Sequence, residues 1–140
     1  MSPSRADSSS PVAVLIERDS SQRHHGDVLM RAGFRVVSIP TPDASVSHVL
    51  DHAPSVVAAE LSPMHPEGTW EFIRQFRQHP QARLIPCIVY RHGLEPHDIE
   101  TAARVGALWL QLEPSDGARL LAAARGLISG ARKETIAKGD

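Results

Sequence analysis

Cysteine is almost absent from this 140-residue chain. Its one copy, Cys87, lies inside an apolar run, so it reads as a small buried hydrophobe, and a lone thiol cannot close an internal disulfide. A reducing, cytoplasmic setting is the expectation. An excess of charge is missing too: 15 Lys and Arg against 16 Asp and Glu leave a net charge of -1. That balance provides no electrostatic footprint for nucleic acid or for an anionic membrane. No apolar stretch approaches the roughly 18 residues that span a bilayer, and the Ser-rich start has no apolar region of the kind a signal peptide carries. Glycine-rich phosphate loops are also lacking. Neither G-x-G-x-x-G nor G-x-x-x-x-G-K-[ST] occurs, so no backbone cradle for a nucleotide is expected, and no aromatic loop residues suggest a flavin.

Sets of metal ligands and nucleophiles are equally thin. His48 and His52 are spaced i, i+4 but have no third ligand near them in sequence, and they read as solvated. His24 and His25 likewise read as a solvated stretch of helix. His65 and Gly68 have the spacing of a cobalamin-binding D-x-H-x-x-G motif, yet Pro63 stands where that motif needs Asp. No histidine is tied by spacing to Cys87, so neither a Cys/His pair nor a Ser/His/Asp set can be argued. We therefore assign no catalytic residue, no cofactor and no metal ligand.

What the chain does have is alternation. With 41% hydrophobic and 22% charged residues it can bury one ordinary core, expected over 11–131, between a disordered tail at 1–10 and a flexible one at 132–140. Apolar runs at 12–17, 34–39, 55–60, 84–90 and 107–112 predict five strands. Between and after them, helical periodicity predicts helices near 21–32, 42–52, 68–78, 95–104 and 115–128. Thr41 suits an N-cap before Pro42, Gly33 suits a helix end, and Ile99, Ala102 and Ala103 form the apolar face of the fourth helix. The last helix has the cleanest stripe: Leu120, Leu121, Ala124, Leu127 and Ile128. Strands one, three and four are nearly continuous apolar runs, as in a parallel sheet covered on both faces. Arg35, Ser38 and Gln111 place strands two and five at the edges. The predicted fold class is α/β, a doubly wound five-stranded parallel sheet of order 2-1-3-4-5.

Four of the five runs end in charge: Glu17-Arg18, Glu60, Arg91 and Glu113. In a parallel sheet these carboxyl ends share one edge, where ligand or partner chemistry collects. Any single one reads as a solvated strand end. As a set, two arginines and three glutamates nearly cancel, so they can satisfy one another without a metal or an anion.

From residue 11 to residue 130 the chain resembles a receiver domain of a two-component response regulator. The landmarks are Leu15-Ile16-Glu17-Arg18-Asp19, Pro54 to Leu61, Glu67-Gly68, Ile85-Pro86-Cys87-Ile88-Val89, and Gly106-Ala107 through Glu113-Pro114. The resemblance implies a flavodoxin-like (βα)5 fold and a cis Glu113-Pro114 bond. It also implies where phosphorylation chemistry would sit. Active receivers hold Mg²⁺ on two acidic residues after strand one, phosphorylate an aspartate after strand three, and read the phosphoryl group with Thr or Ser after strand four and Lys after strand five. Here Glu17 matches the first acidic position, but Arg18 stands at the second, Glu60 at the phosphoacceptor, Arg91 at the Thr/Ser and Glu113 at the Lys. Arginine cannot become a metal ligand, and the Glu113 carboxylate would repel a phosphoryl group.

The reading is a degenerate, phosphorylation-independent pseudo-receiver: a non-enzymatic signalling adaptor acting through protein partners, with no nucleic acid or membrane involved. The alternative is an unorthodox receiver still switched by phosphorylation at Glu60 or by a small ligand at the same edge. A fixed salt-bridge network is expected, with Arg18 near Glu60 or Glu17 and Arg91 near Glu113 or Glu60. In receivers, helix four, strand five and helix five commonly carry partner or dimer contacts. Leu108, Trp109 and Leu110 are the candidates for that face, including a homodimer, with Trp109 and Leu110 pointing to opposite sides.

Overall fold

The computed structural model describes residues 10–17, 23–40, 45–61, 66–91, 96–112 and 116–139. Strands β1 (Val12–Glu17), β2 (Arg35–Pro40), β3 (Val56–Glu60), β4 (Cys87–Arg91) and β5 (Leu108–Gln111) form one sheet. All are parallel, in the order β2-β1-β3-β4-β5, as the strand compositions require. They alternate with helices α1 (Arg23–Arg31), α2 (Val46–Leu50), α3 (Pro66–Gln78), α4 (Pro96–Val105) and α5 (Gly117–Gly139).

Because successive side chains point to opposite faces of a strand, each central strand contributes to two cores. Val14 and Ile16 of β1, Val57 and Ala59 of β3, and Cys87 and Val89 of β4 face one way, where Val49 of α2 and Ile73 and Phe76 of α3 cover them. Ala13 and Leu15, Val56 and Ala58, and Ile88 and Tyr90 face the other way, against Leu29 of α1 and Leu120 and Ala124 of α5. Helices on both faces make the fold doubly wound and flavodoxin-like. They also explain why β1, β3 and β4 need no polar alternation. The edge strands are wetter, with Arg35 and Ser38 exposed on β2 and Leu108 exposed on β5. Trp109 packs into the first core and Leu110 into the second, on opposite sides as expected.

Element boundaries and one helix face differ from the sequence expectation: β4, for one, begins at Cys87 rather than at 84. Helix α2 begins late: Ser45 is its N-cap, with its Oγ accepting from the His48 N–H at 3.3 Å. Residues 41–44, including the expected Thr41 cap, lie outside the described residues. Helix α4 is turned by one residue, burying Asp98 with Ala102 and leaving Ile99 45% exposed. The last helix does not stop at Ile128 but continues to Gly139, across the boundary expected at 132. Residues 131–138 contain good helix formers and no proline to end it. The expected tail at 1–10 lies outside the described residues except for Ser10. No described helix is long and apolar enough to cross a membrane.

Candidate functional site at the carboxyl edge of the sheet

Glu17 ends β1 in the same alternation as Ala13 and Leu15, so its carboxylate enters the α1/α5 layer rather than solvent. It is only 8% exposed. A buried carboxylate is costly unless its oxygens are hydrogen-bonded, and two side chains supply partners. The Tyr90 hydroxyl, from β4, donates to Oε2 of Glu17. His25 Nδ1, from α1, lies 3.4 Å from the same oxygen. Tyr90 reaches across from two strands away, past Glu60, its register partner on the intervening strand β3. The His25 and Tyr90 rings meet edge to face, with centroids 5.3 Å apart and planes at 90°. Burial, and then the charge and hydrogen bond of Glu17, push the Tyr90 hydroxyl well above its ordinary pKa, so it remains a proton donor to the carboxylate. His25 is buried, contrary to its reading as solvated helix, and its Nε2 has no hydrogen-bond partner among the described residues.

A second group lies next to this one. Arg91 ends β4, and its Nη1 is 3.0 Å from Oδ2 of Asp98, in the first turn of α4. Asp98 is buried, and its other oxygen lies 3.4 Å from Nε2 of the exposed His97. Arg91 thus pairs with Asp98, a partner the sequence reading did not name, while Glu113 lies outside the described residues. The physical reason is the rotation of α4, which turns a carboxylate inward within reach of the guanidinium. Glu60 sits at the same edge, opposite Tyr90 in the β3–β4 register. Its carbonyl accepts from the Thr69 hydroxyl at 3.4 Å, which ties β3 to the first turn of α3. The Leu61 N–H donates to the Tyr90 carbonyl and the Leu112 N–H to that of Arg91, so the strand ends are held in line.

Of the five residues singled out from sequence, Glu17, Glu60 and Arg91 come together at this edge. Arg18 and Glu113 lie outside the described residues, as does the Glu113-Pro114 bond; among the described residues every peptide bond is trans. Sequence reasoning missed His25, Tyr90 and Asp98, although a signal existed for each. His25 precedes Leu29 by four residues and Asp98 precedes Ala102 by four, which puts both on the buried stripes of their helices. Tyr90 alternates with Ile88 onto the layer that receives Glu17. His48 is exposed and its ring centroid lies 5.4 Å from that of His52, as expected for a solvated face. His65 lies outside the described residues. Among the described residues no three His, Cys, Asp or Glu side chains converge in a way that could hold a metal ion.

No protein-family model matches the chain, and no curated protein matches it in sequence. Solved structures do match in shape. The chain is similar to the chemotaxis protein CheY4 of Vibrio cholerae, with a TM-score of 0.68 at 18% identity over 83% of this chain and 99% of that one. It is also similar to the signal receiver domain of a histidine kinase from Syntrophus aciditrophicus, with a TM-score of 0.67 at 17% identity over 86% and 92%. A response regulator from Thermotoga maritima gives 0.66 at 14% identity over 86% and 98%. The fold is that of response-regulator receiver domains.

Proposed function

We propose that this chain is a pseudo-receiver: a signalling adaptor in a two-component-type pathway that works through protein contacts without phosphorylation or catalysis. The observation that carries this reading is the state of Glu17. In the receiver pattern its position supplies a Mg²⁺ ligand, whereas here its carboxylate is buried and occupied by Tyr90 and His25. Mg²⁺ requires near-ideal octahedral oxygen coordination and gives up water reluctantly, and a carboxylate tied to a phenol and an imidazole is a poor donor for it.

Arg91 supports the same reading. It replaces a hydroxyl that would sense the phosphoryl group, and it is already engaged by Asp98. The end of β4 and the start of α4 are thereby linked by a standing ion pair, in a place where a switch would need a contact that forms and breaks. Output then falls to the face formed by α4, β5 and α5. Ile99 and Leu108 are both exposed there, with Trp109 and Leu110 packed behind as supports for a partner or a second copy.

Incubation with acetyl phosphate and Mg²⁺, followed by intact-mass measurement, tests the proposal. An unmodified mass is expected. A phosphorylated species that disappears in Glu60→Gln would replace this reading with a receiver switched at Glu60.

A further inference from the structure

At the opposite edge of the sheet, where β4 and β5 begin, the α3–β4 connection and α5 border a cavity of ≈ 310 Å³. Leu84, Pro86, Leu108 and Leu127 form its apolar wall. Leu84 is 60% exposed at the rim, unusual for a large aliphatic side chain beside a hollow. Two arginines, Arg77 and Arg83, line the same cavity. Arg77 is fixed in place: its Nη1 donates to the Ile85 carbonyl at 2.8 Å. Its Nε would lie 3.3 Å from a Cβ on Gly106, so the bare glycine gives the guanidinium room. Among the described residues, neither Arg77 nor Arg83 is in an ion pair with a carboxylate.

The α5 side of the cavity is bare. Gly126 and Gly130 lie one turn apart on the same helix face, and a Cβ on either would meet nothing within 4 Å. Glycine inside a helix is less stable than alanine, and alanine would fit at both positions, so packing does not account for either glycine. What the pair does is keep the hollow open. A modest cavity with apolar walls and a few placed polar groups is the usual form of a small-ligand site, and here the placed groups are both cationic.

We propose that this cavity binds a small amphiphilic carboxylate, with its apolar body against Leu84, Leu108 and Leu127 and its head on Arg77 and Arg83. A second copy docked across a two-fold axis is a poorer occupant, because it would bring the unpaired arginines of both copies together. The site lies at the far end of the strands from Glu17 and does not depend on how that edge works.

Octanoate, titrated into the full chain and followed by isothermal calorimetry and amide chemical shifts, is the probe. One saturable site is expected, with shifts centred on Leu84, Gly106, Leu108 and Gly126. Octyltrimethylammonium, which has the opposite head, and acetate, which has no body, should each bind at least about tenfold more weakly. Arg83→Gln should weaken octanoate by roughly tenfold, the loss expected for one charge-assisted contact, and Gly126→Leu should abolish binding by filling the hollow. Absence of saturable octanoate binding overturns the proposal. So does equal binding by octyltrimethylammonium, or unchanged affinity in Arg83→Gln. Because Arg83 is exposed and outside the core, that variant remains decisive if Gly126→Leu does not fold.

Discussion

Tyr90 is the only tyrosine in the chain, which makes its ionisation directly visible in the ultraviolet. Burial and the Glu17 carboxylate hold its phenol protonated beyond the ordinary range. The folded protein therefore keeps a proton that the unfolded chain releases above about pH 10, and stability falls as pH rises through that window. Alkaline titration should show tyrosinate absorbance only together with the loss of circular dichroism; tyrosinate forming near pH 10 in a folded protein would contradict the buried Tyr90–Glu17 contact. Removing the donor is the complementary test. Tyr90→Phe leaves a buried carboxylate short of a partner and should cost about 1–3 kcal/mol in urea denaturation. Cys87 behaves in the same sense for a simpler cause, since burial pushes its thiol from 9.0 up to about 12. Its contribution to stability is full below pH 9 and lost as pH rises toward 12. The urea midpoint of Cys87→Ala should accordingly fall less across that window than that of the parent chain, and equal slopes would show that the thiol is not protected.

At the scale of elements, the joins between helices are more fragile than their propensities suggest. Gly117 opens α5 where it crosses α1, and a Cβ there would stand 2.7 Å from Cγ2 of Val28. Gly117→Ala should thus destabilise by about 1–3 kcal/mol, although the same exchange usually strengthens a helix, and a raised thermal midpoint would refute the tight α1–α5 approach. Arg91→Met should be costlier because it strands the buried Asp98. A loss toward the low end of the roughly 3–5 kcal/mol seen for broken buried pairs is expected, since Arg91 itself keeps some contact with water; Arg91→Met combined with Asp98→Asn should recover part of it. Both joins also mark where the sequence stopped being legible. Strand order could be read because burial on one face or two leaves its mark on every residue of a strand, as in Arg35 and Ser38 of β2 against the unbroken Val12–Ile16. The charged edge could be read because strand ends converge by topology alone. The pairings of His25, Tyr90 and Asp98 could not, because which side chain meets which carboxylate depends on a rotation of α4 by one residue and on how far Glu17 and Tyr90 reach across β3. Hydrophobic periodicity fixes neither, and a polar residue on a buried stripe is easily counted as solvated.

For the whole molecule, the fold is shared with proteins of 18% identity or less, so resemblance in shape leaves the chemistry of the edge open and the residues themselves must decide it. Output through α4, β5 and α5 predicts that Ile99→Glu, on an exposed position of α4, keeps the fold and lowers self-association or partner capture; an unchanged sedimentation profile and unchanged capture would remove this face from the account. The central claim concerns the carboxyl edge of the sheet, where Glu17 and Arg91 are held by internal partners. It is tested most directly by titrating Mg²⁺ and then beryllofluoride into the purified chain while recording Trp70 fluorescence and amide chemical shifts. The account predicts no saturable change at Trp70, Glu60 or Arg91 at millimolar Mg²⁺, with or without beryllofluoride; saturable quenching together with shifts spreading from Glu60 into α4 and β5 would show a working phosphorylation switch and contradict it.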